Sequence, residues 1–137
     1  MNHSQENPFS LDGVTLAYIG DCVMELYVRE KLVKSGIKGS RDLTSAAQRI
    51  VMAAAQAQTY RQIEPLLDEE EAAVFKRGRN CGHLNFPKHA KMSDYRIATG
   101  LEALLGYLYL AGRYARVNEL LETGCPVSPL LSEELCN

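Results

Sequence analysis

Asp21 and Glu102 are the residues of this chain best placed to do chemistry. Asp21 lies in LAYIGDCVMELYV (residues 16–28) and Glu102 in ATGLEALLGYLYLAG (residues 98–112). Wound as helices, both segments are apolar on most sides, and such helices are normally buried. A buried, unpaired carboxylate costs on the order of several kcal/mol. The two acids therefore either meet basic partners, with Arg29, Arg49 and Arg96 as candidates, or face a site that uses negative charge. Glu25 follows Asp21 by four residues and shares its helix face. Carboxylates brought close repel, so that one pKa rises unless a cation sits between them. Oxygen-rich sites suit Mg²⁺ or Mn²⁺, and such an ion activates water and stabilises charge on a phosphoryl group. Spacing alone leaves the ion pair and the metal site both open.

The basic residues are unevenly placed. Residues 76–96, KRGRNCGHLNFPKHAKMSDYR, hold Lys76, Arg77, Arg79, Lys88, Lys91 and Arg96 against Asp94 alone, a local charge of +5 in a chain whose total is -2. The rest of the chain therefore carries -7. Bases around an irregular loop make a phosphate-binding surface, with Asn80, His83 and His89 as further donors. A solvated surface loop is the alternative. The stretch runs directly into the helix of Glu102, so phosphate ligands and metal ligands would be neighbours.

Other chemistries find little support. The glycines form neither GxGxxG nor a P-loop. No Ser or Cys has an obvious base beside it. Cys81, His83 and His89 lack the second close ligand pair expected of a zinc site. The four cysteines form no CxxC pair and no signal segment precedes the body of the chain, so free thiols in a reducing cytoplasm are expected. No apolar run reaches membrane-span length. Tyr18, Tyr27, Tyr107 and Tyr109 fall at helical spacing among apolar neighbours, which suits core or interface.

The elements that must position these residues read as helices throughout. A length of 137 residues with 46% apolar content fits one domain with a real core. Residues 1–9 read as a frayed arm containing His3. Ser10 or Asp12 caps a helix running to about Lys34, with Gly36 as its stop. Ser40 or Asp42 opens a second, alanine-rich helix expected to run unbroken to about Ile63, before Pro65. Asp68 caps a short helix with acids in its first turn and bases in its last. Residues 78–92 read as loop. Ser93 is the expected cap of the Glu102 helix, and a last helix near 113–123 ends at Gly124. No segment alternates for long enough to propose a strand. The fold class is all-α, a single compact helical domain over 10–123 with a tail over 124–137.

Two details imply a close helix crossing. Gly20 sits mid-helix beside Asp21, and Gly100 and Gly106 flank Glu102. An interior helical glycine costs about 1 kcal/mol relative to Ala, and close approach of another backbone is the usual reason for one. Such a crossing would bring Asp21 and Glu102 together.

LAYIGDCVMELYV resembles the signature helix of the ribonuclease III catalytic domain, roughly LEFLGDAVLEL, and ATGLEALLGYLYL resembles that family's second acidic helix, DxxEALIGALYL. The resemblance covers roughly residues 10–123 and leaves no room for the usual double-stranded-RNA-binding domain. With KRGRN before the loop, the chain looks like the Mini-III branch, which consists of the catalytic domain alone. That resemblance implies a homodimeric, Mg²⁺-dependent endoribonuclease that acts on double-stranded RNA in the maturation of large-subunit (23S) ribosomal RNA precursors, in the cytoplasm, with a ribosomal protein as a candidate helper. It carries Asp21 and Glu102 over as catalytic, metal-holding acids. Two of the family's usual four acids are replaced, by Ala17 and Thr99. Glu25 recurs in the family without holding metal, which gives it a structural hydrogen-bonding role. Lys76, Arg77, Arg79, Asn80, Lys88 and Arg96 are the expected RNA ligands. The rival expectations are a non-catalytic RNA-binding module, favoured by Ala17 and Thr99, and a helical interaction protein without an RNA role.

Overall fold

A computed structural model describes residues 7–81 and 91–125. Six α-helices account for most of them: α1 (Gly13–Lys34), α2 (Ser40–Val51), α3 (Ala53–Ile63), α4 (Glu69–Arg79), α5 (Met92–Leu110) and α6 (Tyr114–Gly124). There is no strand among the described residues, and none of the described helices is long and apolar enough to cross a membrane.

Local chemistry explains most of the boundaries. The Asp12 side chain accepts from the Thr15 amide at 2.7 Å and starts α1. Gly36, at φ +92°, follows its end. Asp68 and Glu71 form a reciprocal capping box at the start of α4. Ser93 is not the cap it was expected to be: α5 begins at Met92, with Lys91 preceding it and no side chain capping it. The alanine-rich stretch is broken as well. Met52 turns extended, at ψ 153°, between α2 and α3. The buried Gln56 side chain donates to the Val51 carbonyl at 2.7 Å across that break, supplying a partner to a backbone group the kink would strand.

The N-terminal segment also departs from expectation. Residues 8 and 9, read as part of a frayed arm, belong to a 3-10 turn, Pro8–Ser10, in which the Phe9 amide donates to the Asn7 side chain and the Ser10 amide to the Asn7 carbonyl.

Helix α5 is the axis of the domain. It packs against α1, α3, α4 and α6, which is the place for a helix apolar all round. Leu101, Ala103, Leu104, Leu105 and Leu108 are fully buried along it. Against it α1 turns Leu16, Met24, Val28 and Leu32, also fully buried. The opposite face of α1 stays in solvent, with Tyr18 78% and Leu26 65% exposed. Apolarity therefore overstated the burial of α1, and Asp21 is exposed rather than buried.

One buried charge is fully partnered. Glu71 is only 1% exposed. Arg116 of α6 grips it with two hydrogen bonds of 2.8 Å and also donates to the Leu66 carbonyl at 2.7 Å. The Arg116 guanidinium holds the Glu71 carboxyl below the usual carboxylate range, against the effect of burial.

Candidate active site

The crossing of α1 and α5 builds the site. A Cβ placed on Gly20 would fall inside the Glu102 carbonyl, and one on Gly106 would fall inside the Leu16 carbonyl. The two backbones thus touch without side chains between them. Asp21 follows Gly20 directly, so this contact sets its carboxylate beside that of Glu102. Of the three glycines that point to a close crossing, Gly20 and Gly106 make it, whereas Gly100 gives room to Phe75 of α4, whose ring and carbonyl a Cβ there would meet.

The two acids interact as a pair. Glu102 is half-buried, and burial is the main reason its pKa rises to about 8, with a hydrogen bond to Asp21 and the Asp21 charge adding to the rise. In its protonated form Glu102 donates to the Asp21 carboxylate. Among the described residues no Lys or Arg forms an ion pair with either acid. Of the three arginines considered as partners, Arg29 takes Glu25 instead, at 2.9 Å. Two adjacent carboxyl groups without a basic partner among the described residues are a donor set that fits a divalent cation, since such an ion can take the place of the Glu102 proton. No third His, Cys, Asp or Glu joins them to make a larger metal cluster among the described residues.

The surrounding positions explain the small number of acids. Ala17 packs partly buried against the core and offers no ligand atom. Thr99 donates its hydroxyl to the Tyr95 carbonyl, 3.0 Å away on its own helix. Glu25 is a turn beyond Asp21, occupied by Arg29.

The basic end of α4 is brought to the same place. A Cβ on Gly78 would meet Ala103, Gly100 and, at 3.0 Å, the Thr99 carbonyl. The last turn of α4 therefore lies within a turn of Glu102 along α5. Lys76 and Asn80 are exposed there. Arg79 is half-buried, with Nε donating to the Asn80 side chain at 3.3 Å and its guanidinium 5.9 Å from the Phe75 ring centre. Arg96 is exposed in the first turns of α5. Lys88, His83 and His89 lie outside the described residues.

Arg77 behaves differently from the rest of the run. Its Nη1 donates to the carbonyls of Phe9 and Leu11, the latter at 2.8 Å, and its guanidinium stacks 4.9 Å from the Phe9 ring centre. The sequence carries no signal that separates this backbone-bonded arginine from the other bases of the run.

On the outer side of α1, a cavity of about 370 Å³ is lined by Cys22, Leu26, Tyr27, Tyr109 and Tyr114, among others. Tyr18, Leu26, Tyr109 and Tyr114 leave apolar surface exposed around it.

The Ribonuclease III domain family matches residues 14–113, the span from the first turn of α1 to the end of α5. A Mini-ribonuclease 3 of Symbiobacterium thermophilum is 45% identical over 116 residues, covering 85% of this chain and 89% of the relative. A Mini-ribonuclease 3 of a Thermoanaerobacter species is 42% identical over 124 residues, with 90% and 87% covered. A crystal structure of a Fusobacterium nucleatum protein superimposes with a TM-score of 0.75 at 28% identity, over 82% of this chain and 91% of that one. With its acid pair at the α1–α5 crossing inside the matched span, the chain belongs to the ribonuclease III domain family.

Proposed function

We propose that this chain is a divalent-metal-dependent endoribonuclease that hydrolyses phosphodiesters in double-stranded RNA. One observation carries the reading: Asp21 and Glu102 sit side by side with a raised pKa on Glu102 and no basic partner among the described residues. A structural pair would have been neutralised, as Glu71 is.

In this reading Asp21 and Glu102 would hold Mg²⁺, with Mn²⁺ able to substitute. The ion would supply an activated water and offset charge developing on phosphorus. Glu102 must give up its proton to bind it, and Asp21, exposed beside it, faces the solvent from which RNA arrives. Lys76, Arg79, Asn80 and Arg96, with Lys88 from the neighbouring segment, position backbone phosphates. Duplex RNA is read mainly through its shape, phosphates and 2′-hydroxyls. A second copy seated on the exposed apolar face of α1 gives a homodimer whose two sites address two strands. The natural substrate we infer is a large-subunit (23S) ribosomal RNA precursor in the cytoplasm, where a ribosomal protein is a candidate partner.

The test is incubation of long duplex RNA with the protein in Mg²⁺ or in chelator. Cutting in Mg²⁺ alone is expected, and intact RNA in both overturns the proposal. The second reading, a non-catalytic RNA-binding module, is favoured by Ala17 and Thr99, which leave the acid pair without further carboxylates. It would give binding without cleavage.

A further inference from the structure

Arg77 lies in the middle of a run of bases, between Lys76 and Arg79, yet its guanidinium is turned to the protein. Nη1 donates to the Phe9 and Leu11 carbonyls, and the planar group covers the Phe9 ring. Phe9 in turn sets its edge against Tyr107, at 6.1 Å and 71° between planes, and Tyr107 is buried on α5, five residues beyond Glu102. Asp12 leaves this segment as the cap of α1, which carries Asp21. At the same joint a Cβ on Gly13 would lie 2.7 Å from the Arg77 carbonyl. One side chain thus ties three elements: the end of α4 with its phosphate-facing bases, the start of α1, and α5.

We propose that Arg77 is a positioning residue: it straps the 7–12 segment to α4 and so holds the phosphate-binding end of α4 in register with the acid pair at the α1–α5 crossing. It contributes nothing to RNA binding through its own charge. The strap combines two features of the guanidinium: Nη1 serves the Phe9 and Leu11 carbonyls while the planar face lies on the Phe9 ring. Lysine keeps the charge and its donors but has a shorter reach and no planar face to lay on the ring. The site depends on this register because a small misplacement of substrate phosphates costs rate far more than affinity. The proposal rests on the endoribonuclease reading above.

The test uses the full chain, a long RNA duplex and Mg²⁺, well below the unfolding temperature of every variant. Arg77→Lys is expected to lower kcat about tenfold while KM stays within about twofold. The salt dependence of duplex binding, measured in chelator, is expected to stay at its wild-type slope, whereas Arg79→Ala lowers that slope by ~1. Phe9→Leu, which removes the stacking partner without touching a charge, is expected to lower kcat in the same direction. The double variant should be no slower than Arg77→Lys alone, as for two parts of one unit. A salt slope reduced by Arg77→Met makes Arg77 a phosphate ligand and overturns the proposal. A lower unfolding temperature with unchanged kcat makes the strap purely structural and overturns it too. Wild-type protein that leaves the duplex intact overturns the endoribonuclease reading itself, and is recognised by failing before any variant is compared.

Discussion

Glu71 and Glu102 are two glutamates drawn into the same helical domain and given opposite surroundings. Glu71 meets the Arg116 guanidinium in two 2.8 Å hydrogen bonds, and its pKa falls. Glu102 meets burial and then another acid, and its pKa climbs to about 8. The first arrangement is complete as it stands. The second is more stable with a proton held there, or with something else positive in the proton's place. That contrast separates a carboxylate neutralised within the fold from one left without a basic partner among the described residues.

The largest effects that could break this comparison are on cleavage. Asp21→Asn and Glu102→Gln should each lower the rate on duplex RNA by about a thousandfold, or about 4 kcal/mol of barrier, with folding retained in circular dichroism. A variant of either kind that cuts at the wild-type rate removes the functional half of the contrast. Next in size is the ion pair. Arg116→Met strands Glu71 in the interior and should lower unfolding stability by about 3–5 kcal/mol, read from urea denaturation. Cleavage per folded molecule should not change.

The two glutamates also predict opposite pH slopes. Glu102 binds its proton more tightly folded than unfolded, so its contribution is fully present below the ordinary value of 4.5 and is lost as pH rises towards about 8. Glu71 is held below that ordinary value, so its contribution is present above it and is lost only as pH falls into the acid range. In chelator, wild-type stability should therefore decline between about pH 5 and pH 8, and Glu102→Gln should flatten that decline. An unchanged slope in the variant would assign the decline to another group. The smallest effect belongs to Arg79→Ala, which should weaken duplex binding and reduce its salt slope by ~1 without altering stability measurably.

Much of this contrast was legible in the sequence, and the part that was not has physical reasons. Asp12 and Asp68 announce their helices because capping is local chemistry. Gly20 and Gly106 announce the helix crossing because a mid-helix glycine has few other uses. The break at Met52 carries neither Gly nor Pro, and helix propensity through the alanines hides it. Glu71 and Arg116 stand 45 positions apart, so only the tertiary fold reveals their pairing. Arg77 reads in the sequence like the other candidate phosphate-binding bases because a run of charges gives no direction to each member, yet it bonds to the Phe9 and Leu11 carbonyls. Pattern alone assigns the Tyr18 and Leu26 face of α1 to the core, and Asp21 with it, whereas that apolar face stays in solvent.

The glycine contact at the crossing bears on which ion the proposed metal site would accept. The backbone carbonyl that occupies the space beside Gly20 belongs to Glu102, the same residue that supplies a carboxylate. Helix spacing and ligand placement are therefore one variable. The two helices cannot be slid apart to admit a larger cation without opening the seam, and they cannot be drawn closer for a smaller one because backbone already meets backbone. If Asp21 and Glu102 hold the ion as proposed, fitting it by radius falls to side-chain length alone, one methylene at a time, by exchanging Asp and Glu at positions 21 and 102.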